Sequence, residues 1–279
     1  MNYQHSYHAG NFADVIKHSA LLTVIEKLLQ KDKPLLYFDT HAGAGYYDLK
    51  GAAALKTKEW QRGIKLFLDN TDDKSALQPY RKLVLACNPG GKLQHYPGSP
   101  WLAQQILRSQ DRLILCETDR AATSCLKDLF KYRQQTHIHL RDGYEALAAL
   151  LPATEKRGLV LLDPPYEKPE EISDLKKAVG KAWQLWPQAV YMLWYPITHT
   201  RPVKFGDWVK TLGFKDVLKI EVTVDALDRP QSLIGSGLLI INTPWKLEEK
   251  LVPELRFLSK ILGGPKYGQC RVEWLSEKS

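Results

Sequence analysis

The sequence predicts an α/β protein: a mostly parallel, doubly wound sheet with an antiparallel edge strand and a helical insertion. Three observations predict it. Apolar runs of strand length alternate with segments of helical periodicity through most of the 279 residues. The last two runs, 217–224 and 237–241, follow one another with no helix between them, which argues an antiparallel strand at one edge. The first two strands are separated by far more chain than one crossover helix needs.

The elements follow in order. Asn11 can cap a helix that starts at Phe12, with Asp14 in its first turn, where a carboxylate favours the helix dipole. Val15, Leu22, Ile25 and Leu29 recur at helical spacing until Lys33-Pro34 stops the pattern. Leu35 to Asp39 is an apolar run with no alternation, as a parallel strand covered on both faces requires. Leu113 to Cys116, His137 to Leu140, Gly158 to Leu162 and Val190 to Tyr195 are further strands. Helices are expected over 121–132, 144–151 and 172–185, and around Trp208. The chain divides into residues 1–49 (first helix, first strand and glycine turn), a basic helical subdomain over 50–100, the rest of the core over 101–245, and a C-terminal extension over 246–279.

Composition is that of a globular chain, 44% hydrophobic and 25% charged, which excludes a disordered or fibrous protein. No unbroken apolar stretch approaches the roughly 18 residues of a membrane span, and the opening residues lack the apolar core of a secretory signal. The expected address is cytoplasmic. Cys87, Cys116, Cys125 and Cys270 form no C-x-x-C pair, so neither a disulfide framework nor a metal site is expected. Cys116 and Cys125 lie in apolar patterns and read as buried thiols. Net charge is +8. Lys50 to Arg108 holds ten basic residues against four acidic ones, so it carries +6 of that total. Such a stretch is either a solvated helical face or a contact for a polyanion.

Asp39-Thr40-His41-Ala42-Gly43-Ala44-Gly45 follows the first strand directly. Ligands of open α/β sheets bind at the carboxyl ends of strands, and a carboxylate at the end of the next strand, about 20 residues past the glycines, grips ribose hydroxyls in nucleotide-binding folds. Glu117 has that place by order but lies 72 residues beyond Gly45. The excess is an insertion and coincides with the basic stretch, which favours polyanion contact. Glu117 also reads as a helix-capping or salt-bridging acid, Asp142-Gly143 as a turn or an adenine contact, and Ser99-Pro100 as an N-cap and first helical position.

Asp163-Pro164-Pro165-Tyr166 sits at the end of the fourth apolar strand. Its bland reading is a rigid strand exit with a packed tyrosine. Its chemical reading is methylation of an exocyclic amine. The N6 lone pair of adenine is delocalised into the ring. Hydrogen bonds from its two hydrogens to the Asp163 carboxylate and the Pro164 carbonyl draw the nitrogen toward a tetrahedral shape and free that pair. The prolines fix φ and hold the preceding residue extended. Tyr166 offers a face for an extruded base. No metal is needed, but a cavity beside Asp163 must hold donor and base together.

On these residues the chain resembles the bacterial 23S ribosomal RNA adenine-N6 methyltransferase J family. The resemblance covers essentially the whole chain. It rests on Tyr3-Gln4-His5-Ser6-Tyr7-His8-Ala9-Gly10-Asn11 with Ala13 to His18, on Asp39 to Gly45, on Pro97-Gly98-Ser99-Pro100, and on Asp163 to Tyr166. Gln4 stands where a basic residue is expected. The resemblance implies a Rossmann-like S-adenosylmethionine-dependent methyltransferase acting on one adenine of 23S ribosomal RNA. By motif match it implies that His18, His41, Ser99, Glu117, Asp142, Gly143 and Asp163 contact the cofactor, beside Gly43 of the glycine turn. Asp163, with Pro164 and Tyr166, would be catalytic. Tyr3 would contact substrate or gate the pocket, with His5, Lys17 and Tyr166 nearby. A monomer is expected, with no membrane and no metal partner.

Two alternatives keep the chemistry: a DNA adenine-N6 methyltransferase, and a methyltransferase for protein glutamine. The second usually carries Asn where Asp163 stands. A non-catalytic RNA-binding protein on the same scaffold is disfavoured by the intact glycine turn, Glu117 and Asp163. A dinucleotide oxidoreductase needs a third glycine where the chain has Asp48.

Overall fold

A computed structural model describes residues 4–72, 74–199, 203–225 and 233–276. Ten α-helices and ten strands occur among them. The N-terminal part holds α1 (Phe12–Leu29), β1 (Leu36–Asp39) and β2 (Tyr46–Asp48). The inserted segment holds α2 (Ala52–Thr57), α3 (Ile64–Asp69), α4 (Gln78–Ala86) and β3 (His95–Pro97). Next come α5 (Ser99–Ile106), β4 (Arg112–Glu117), α6 (Arg120–Leu129), β5 (Thr136–Leu140), α7 (Gly143–Leu150) and β6 (Gly158–Leu162). The rest is α8 (Glu171–Leu185), β7 (Val190–Thr198), α9 (Gly206–Leu212), β8 (Leu218–Thr223), β9 (Leu233–Ile241), α10 (Leu247–Tyr267) and β10 (Gln269–Trp274).

Eight strands form one sheet in the order β10-β8-β9-β7-β6-β1-β4-β5. β1 pairs in parallel with β4 on one side and β6 on the other. The chain therefore fills the sheet outward from β1 in one direction, through β4 and β5, and then returns to start again at β6. That reversal is the switch point beside which open sheets leave a crevice at their carboxyl edge. Asp39, Glu117, Asp142 and Asp163 all lie at or just beyond the carboxyl ends of the four strands around it.

The sheet does end on an antiparallel strand, but not one of the expected final pair. β9 is antiparallel to both β7 and β8 and lies inside the sheet. The edge is β10, antiparallel to β8, in a segment where no element is expected from sequence. A two-stranded sheet of β2 and β3 pairs Tyr46 to Asp48 with Pro97 to His95 and brackets the inserted helices.

Side chains alternate between the two faces, as strand geometry demands. Tyr37, Leu113, Leu115, Leu159 and Leu161 pack with α1, α5, α6, α10 and the inserted helices, whereas Leu36, Phe38, Ile114, Cys116, Val160 and Leu162 pack with α7, α8 and α9. Asn11 caps α1 as expected, accepting the Asp14 N–H at 3.0 Å. Val15, Ile16, Leu21, Val24 and Ile25 of α1 are fully buried, each worth roughly 1.5–3 kcal/mol of burial. α1 is buried nearly all round because α10 and the insertion cover the side that the sheet does not. Of the two cysteines expected inside, Cys116 is buried but Cys125 is exposed. On α6 it is the neighbours Thr123 and Leu126 that face inward.

Candidate active site

The exit of β1 carries a carboxylate with no exposure. Asp39 Oδ2 accepts the hydroxyls of Tyr37 and Ser99, both at 2.7 Å, and Oδ1 accepts the His41 N–H at 3.2 Å. Burial raises its pKa to about 6, against the pull of those donors. The Ser99 hydroxyl is thus turned toward Asp39. Gly98, not Ser99, is the N-cap of α5, and Ser99 is its first residue.

The glycine turn bridges the neighbouring strands. The Thr40 N–H reaches Leu161 O at 3.1 Å and the Ala42 N–H reaches Cys116 O at 2.9 Å. Gly43 has φ +60°, and a Cβ there would lie 2.1 Å from the Tyr47 hydroxyl oxygen. The Gly43 N–H donates to Glu117 Oε2 at 2.8 Å, while Oε1 accepts the N–H groups of Thr118 and Asp119, both at 2.8 Å. Glu117 therefore ties the end of β4 to the turn. Three bonds leave part of its roughly four lone-pair sites open.

Asp142 caps α7, its Oδ1 accepting the N–H groups of Tyr144 and Glu145. A Cβ on Gly143 would lie 2.1 Å from the Thr40 carbonyl oxygen. That close approach lets the β5 exit pack directly on the β1 exit. His41 lies between them, its ring edge-on to that of Tyr144 with 5.3 Å between centroids. Burial lowers its pKa to about 4, so it is neutral at pH 7.

Asp163 follows β6 and meets α1. The Lys17 ammonium contacts Asp163 Oδ2 and lies 2.9 Å from Asp14 Oδ1. Burial opposes the Lys17 charge, but the two carboxylates outweigh it and hold the ammonium protonated. Asp14 Oδ2 accepts the Gly10 N–H at 2.9 Å and bonds His5 Nε2 at 3.0 Å. Burial pushes the Asp14 carboxyl up, but His5 and the Lys17 ammonium outweigh it and hold it well below the usual range. In sequence Asp14 reads as a dipole-favouring residue of the first turn; the fold makes it the hub that fixes His5 and Lys17. Tyr3 lies outside the described residues.

Tyr166 adopts a left-handed φ of +54°, a conformation costing roughly 1–2 kcal/mol for an L-residue. Its hydroxyl donates to the Trp194 carbonyl, and the two rings meet edge to face at 5.6 Å. Trp194, absent from the sequence-based candidates, also lies 5.8 Å from Lys17 Nζ. Nothing in its local pattern marks it, since it sits mid-strand in an apolar run.

His18 is 1% exposed, and its Nδ1 bonds the Tyr96 hydroxyl at 2.7 Å. Burial lowers its pKa to about 3. The Asp163 side chain is 15% exposed, with Lys17 on it. One cleft lies between α1, the insertion and α10; another, of about 60 Å³, lies at the opposite end of the sheet near Trp245. Neither adjoins Asp163. Lys17 sits against Asp163 because a buried ammonium and a carboxylate neutralise each other best in contact. No group of three or more potential ligands that could hold a metal occurs among the described residues, and no helix among them is long and apolar enough to cross a membrane.

A glycine turn at the switch point of this sheet, acids at the neighbouring strand exits and an Asp-Pro-Pro-Tyr corner define a Rossmann-like methyltransferase. The family described as RsmJ, ribosomal RNA large subunit methyltransferase D, RlmJ, matches residues 32–276. Ribosomal RNA large subunit methyltransferase J of Escherichia coli (strain K12) is 36% identical over 277 residues, covering 99% of each chain; the protein of that name from Haemophilus influenzae is 36% identical over 278 residues with the same coverage. A crystal structure of a Legionella pneumophila protein superimposes with a TM-score of 0.85 at 33% identity, covering 98% of this chain and 100% of the other. The chain belongs to the RlmJ family.

Proposed function

We propose that this chain transfers a methyl group from S-adenosylmethionine to the exocyclic N6 of a specific adenine in 23S ribosomal RNA. The observation that carries the reading is the Asp163 corner, an acid at the β6 exit of a methyltransferase sheet, held by a lysine that has a second carboxylate to fall back on. The reading includes a cytoplasmic, monomeric enzyme.

The residues present fit S-adenosylmethionine. Gly43 supplies backbone in a conformation that other residues resist, Glu117 keeps acceptor capacity for ribose hydroxyls, and the Nε2 atom of neutral His18 makes no hydrogen bond to protein among the described residues. His18, His41, Gly43, Ser99, Glu117, Asp142, Gly143 and Asp163 would hold it. When bound, it supplies an electrophilic methyl group on a sulfonium.

The rest is the work of the chain's own groups. Asp163 and the Pro164 carbonyl accept the two N6 hydrogens of adenine, which localises the nitrogen lone pair. Lys17 contacts only Oδ2 of Asp163, so the amine meets the lone pairs it leaves open, and Lys17 can give up that contact as the base seats. It keeps Asp14, so its charge is never left alone in a buried site. Tyr166, pinned through its hydroxyl to the strand, cannot swing away and presents a ring edge or face to the base. His5 and Lys17, with Tyr3, border the entry. The methylated nitrogen is cationic and acidic, so its proton leaves to the Asp163 carboxylate or to water without a strong base. The segment 50–100 supplies the basic surface for the RNA backbone.

The test is methyl transfer from radiolabelled S-adenosylmethionine to ribosomal RNA, DNA and protein fractions. Label in the RNA, released on digestion as N6-methyladenosine, is expected. Label confined to DNA or protein would refute the reading, and so would failure to bind the donor.

A further inference from the structure

A buried polar chain that the methyl-transfer chemistry does not use joins the insertion to α1. Tyr80, on α4, places its hydroxyl 2.9 Å from that of Tyr96, on β3, which in turn lies 2.7 Å from His18 Nδ1. All three residues are buried, and the rings of His18 and Tyr96 stack at 5.6 Å. We propose that Tyr80 and Tyr96 are positioning residues for the methyl donor, locking the His18 ring and its tautomer so that the helical insertion sets the cofactor site as well as meeting RNA.

The direction of the chain follows from counting protons. The Tyr80 hydroxyl has the Tyr96 oxygen as its partner among the described residues. A buried O–H must donate or forfeit the full cost of its desolvation. Tyr80 therefore donates to Tyr96, and the Tyr96 proton is left for His18 Nδ1. Neutral imidazole holds one proton, so it must sit on Nε2. Nε2 makes no hydrogen bond to protein among the described residues and is left as a donor for an acceptor atom of the cofactor. In the reverse order the Tyr80 proton would have no acceptor among the described residues, and His18 would present a lone pair at Nε2 instead of a donor. The proposal rests on the reading of His18 as a cofactor contact.

The test uses the full chain with ¹⁵N-labelled histidine. Two-bond correlation spectra report which ring nitrogen is protonated, and the His18 signal is assigned by its loss in His18→Ala. The wild type is expected to show the Nε2–H form. Tyr96→Phe, which keeps the ring, should shift His18 toward a tautomer mixture and weaken S-adenosylmethionine binding by calorimetry about tenfold, the effect of one hydrogen bond. Tyr80→Phe should act in the same sense, weakening binding about threefold. Affinity for RNA should be unchanged in both. If His18→Ala weakens donor binding but neither tyrosine variant alters tautomer or affinity, the tyrosines are packing only and the proposal falls. If His18→Ala leaves donor binding unchanged, the cofactor contact itself is refuted, and the proposal with it.

Discussion

Replacing Asp39 by Asn should remove a pH dependence of stability, and the size of the effect follows from its burial. Asp39 has no exposure and a folded pKa of about 6, raised by desolvation from an ordinary carboxyl value of 3.8. A raised carboxyl pKa means that the folded state binds the proton more tightly than the unfolded state. The stabilisation from that proton is complete below pH about 4 and is lost as pH rises through about 6. A rise of roughly two pH units at 1.36 kcal/mol each corresponds to about 3 kcal/mol. Asn can keep its Oδ1 toward the Tyr37 and Ser99 hydroxyls and gives up only the long bond to the His41 N–H. That change costs about 1 kcal/mol at every pH. Urea unfolding of both proteins at pH 4, 5, 6 and 7 isolates this group, because the other titrations cancel in the difference. The variant should gain on the wild type by up to about 3 kcal/mol between pH 4 and 7. A difference that stays flat over that range would show that the donors, not burial, control the carboxyl, and would overturn this account of Asp39.

Asp163→Ala should abolish methyl transfer while near-wild-type circular dichroism and donor binding within about tenfold persist; normal turnover would overturn the catalytic assignment. Lys17→Met should cost roughly 3 kcal/mol in chemical denaturation, the low end for breaking a buried pair, because Asp14 keeps His5 and the Gly10 N–H. A cost below about 0.5 kcal/mol, as at an exposed pair, would mean that the bridge to Asp163 does not persist in solution. Neutralising the exposed Lys50, Lys58, Lys82 and Lys92 should weaken RNA binding and flatten its salt dependence by about one unit of slope for each phosphate no longer neutralised; an unchanged slope would make that surface merely solvated. Gly143→Ala, whose Cβ would lie 2.1 Å from the Thr40 carbonyl, should lower stability by at least about 1–3 kcal/mol, and an unchanged melting temperature would show that the two strand exits do not pack so closely.

The positions of Asp39, Glu117, Asp142 and Asp163 are legible in the sequence. Parallel strands buried on both faces read as unbroken apolar runs, and whatever follows such a run must emerge at the carboxyl edge of the sheet. β10 leaves no such mark because it lies at an edge and alternates between partly covered and exposed residues. The three-residue strands β2 and β3 are too short to carry any period. Trp194 and Tyr96 look like ordinary core aromatics in sequence, and only their partners distinguish them.

The amino-acid order suffices for the parallel strands, the succession of their carboxyl ends, the basic segment after Lys50 and the acidic corner, because each is written in local periodicity or in contiguous residues. What those groups do depends on the folded chain. Lys17 reaches Asp163 across 146 positions and His18 reaches Tyr96 across 78. Local pattern carries no trace of such pairs. Which cation neutralises a buried acid, and which proton a buried ring keeps, is settled by desolvation and geometry once the chain has closed around them.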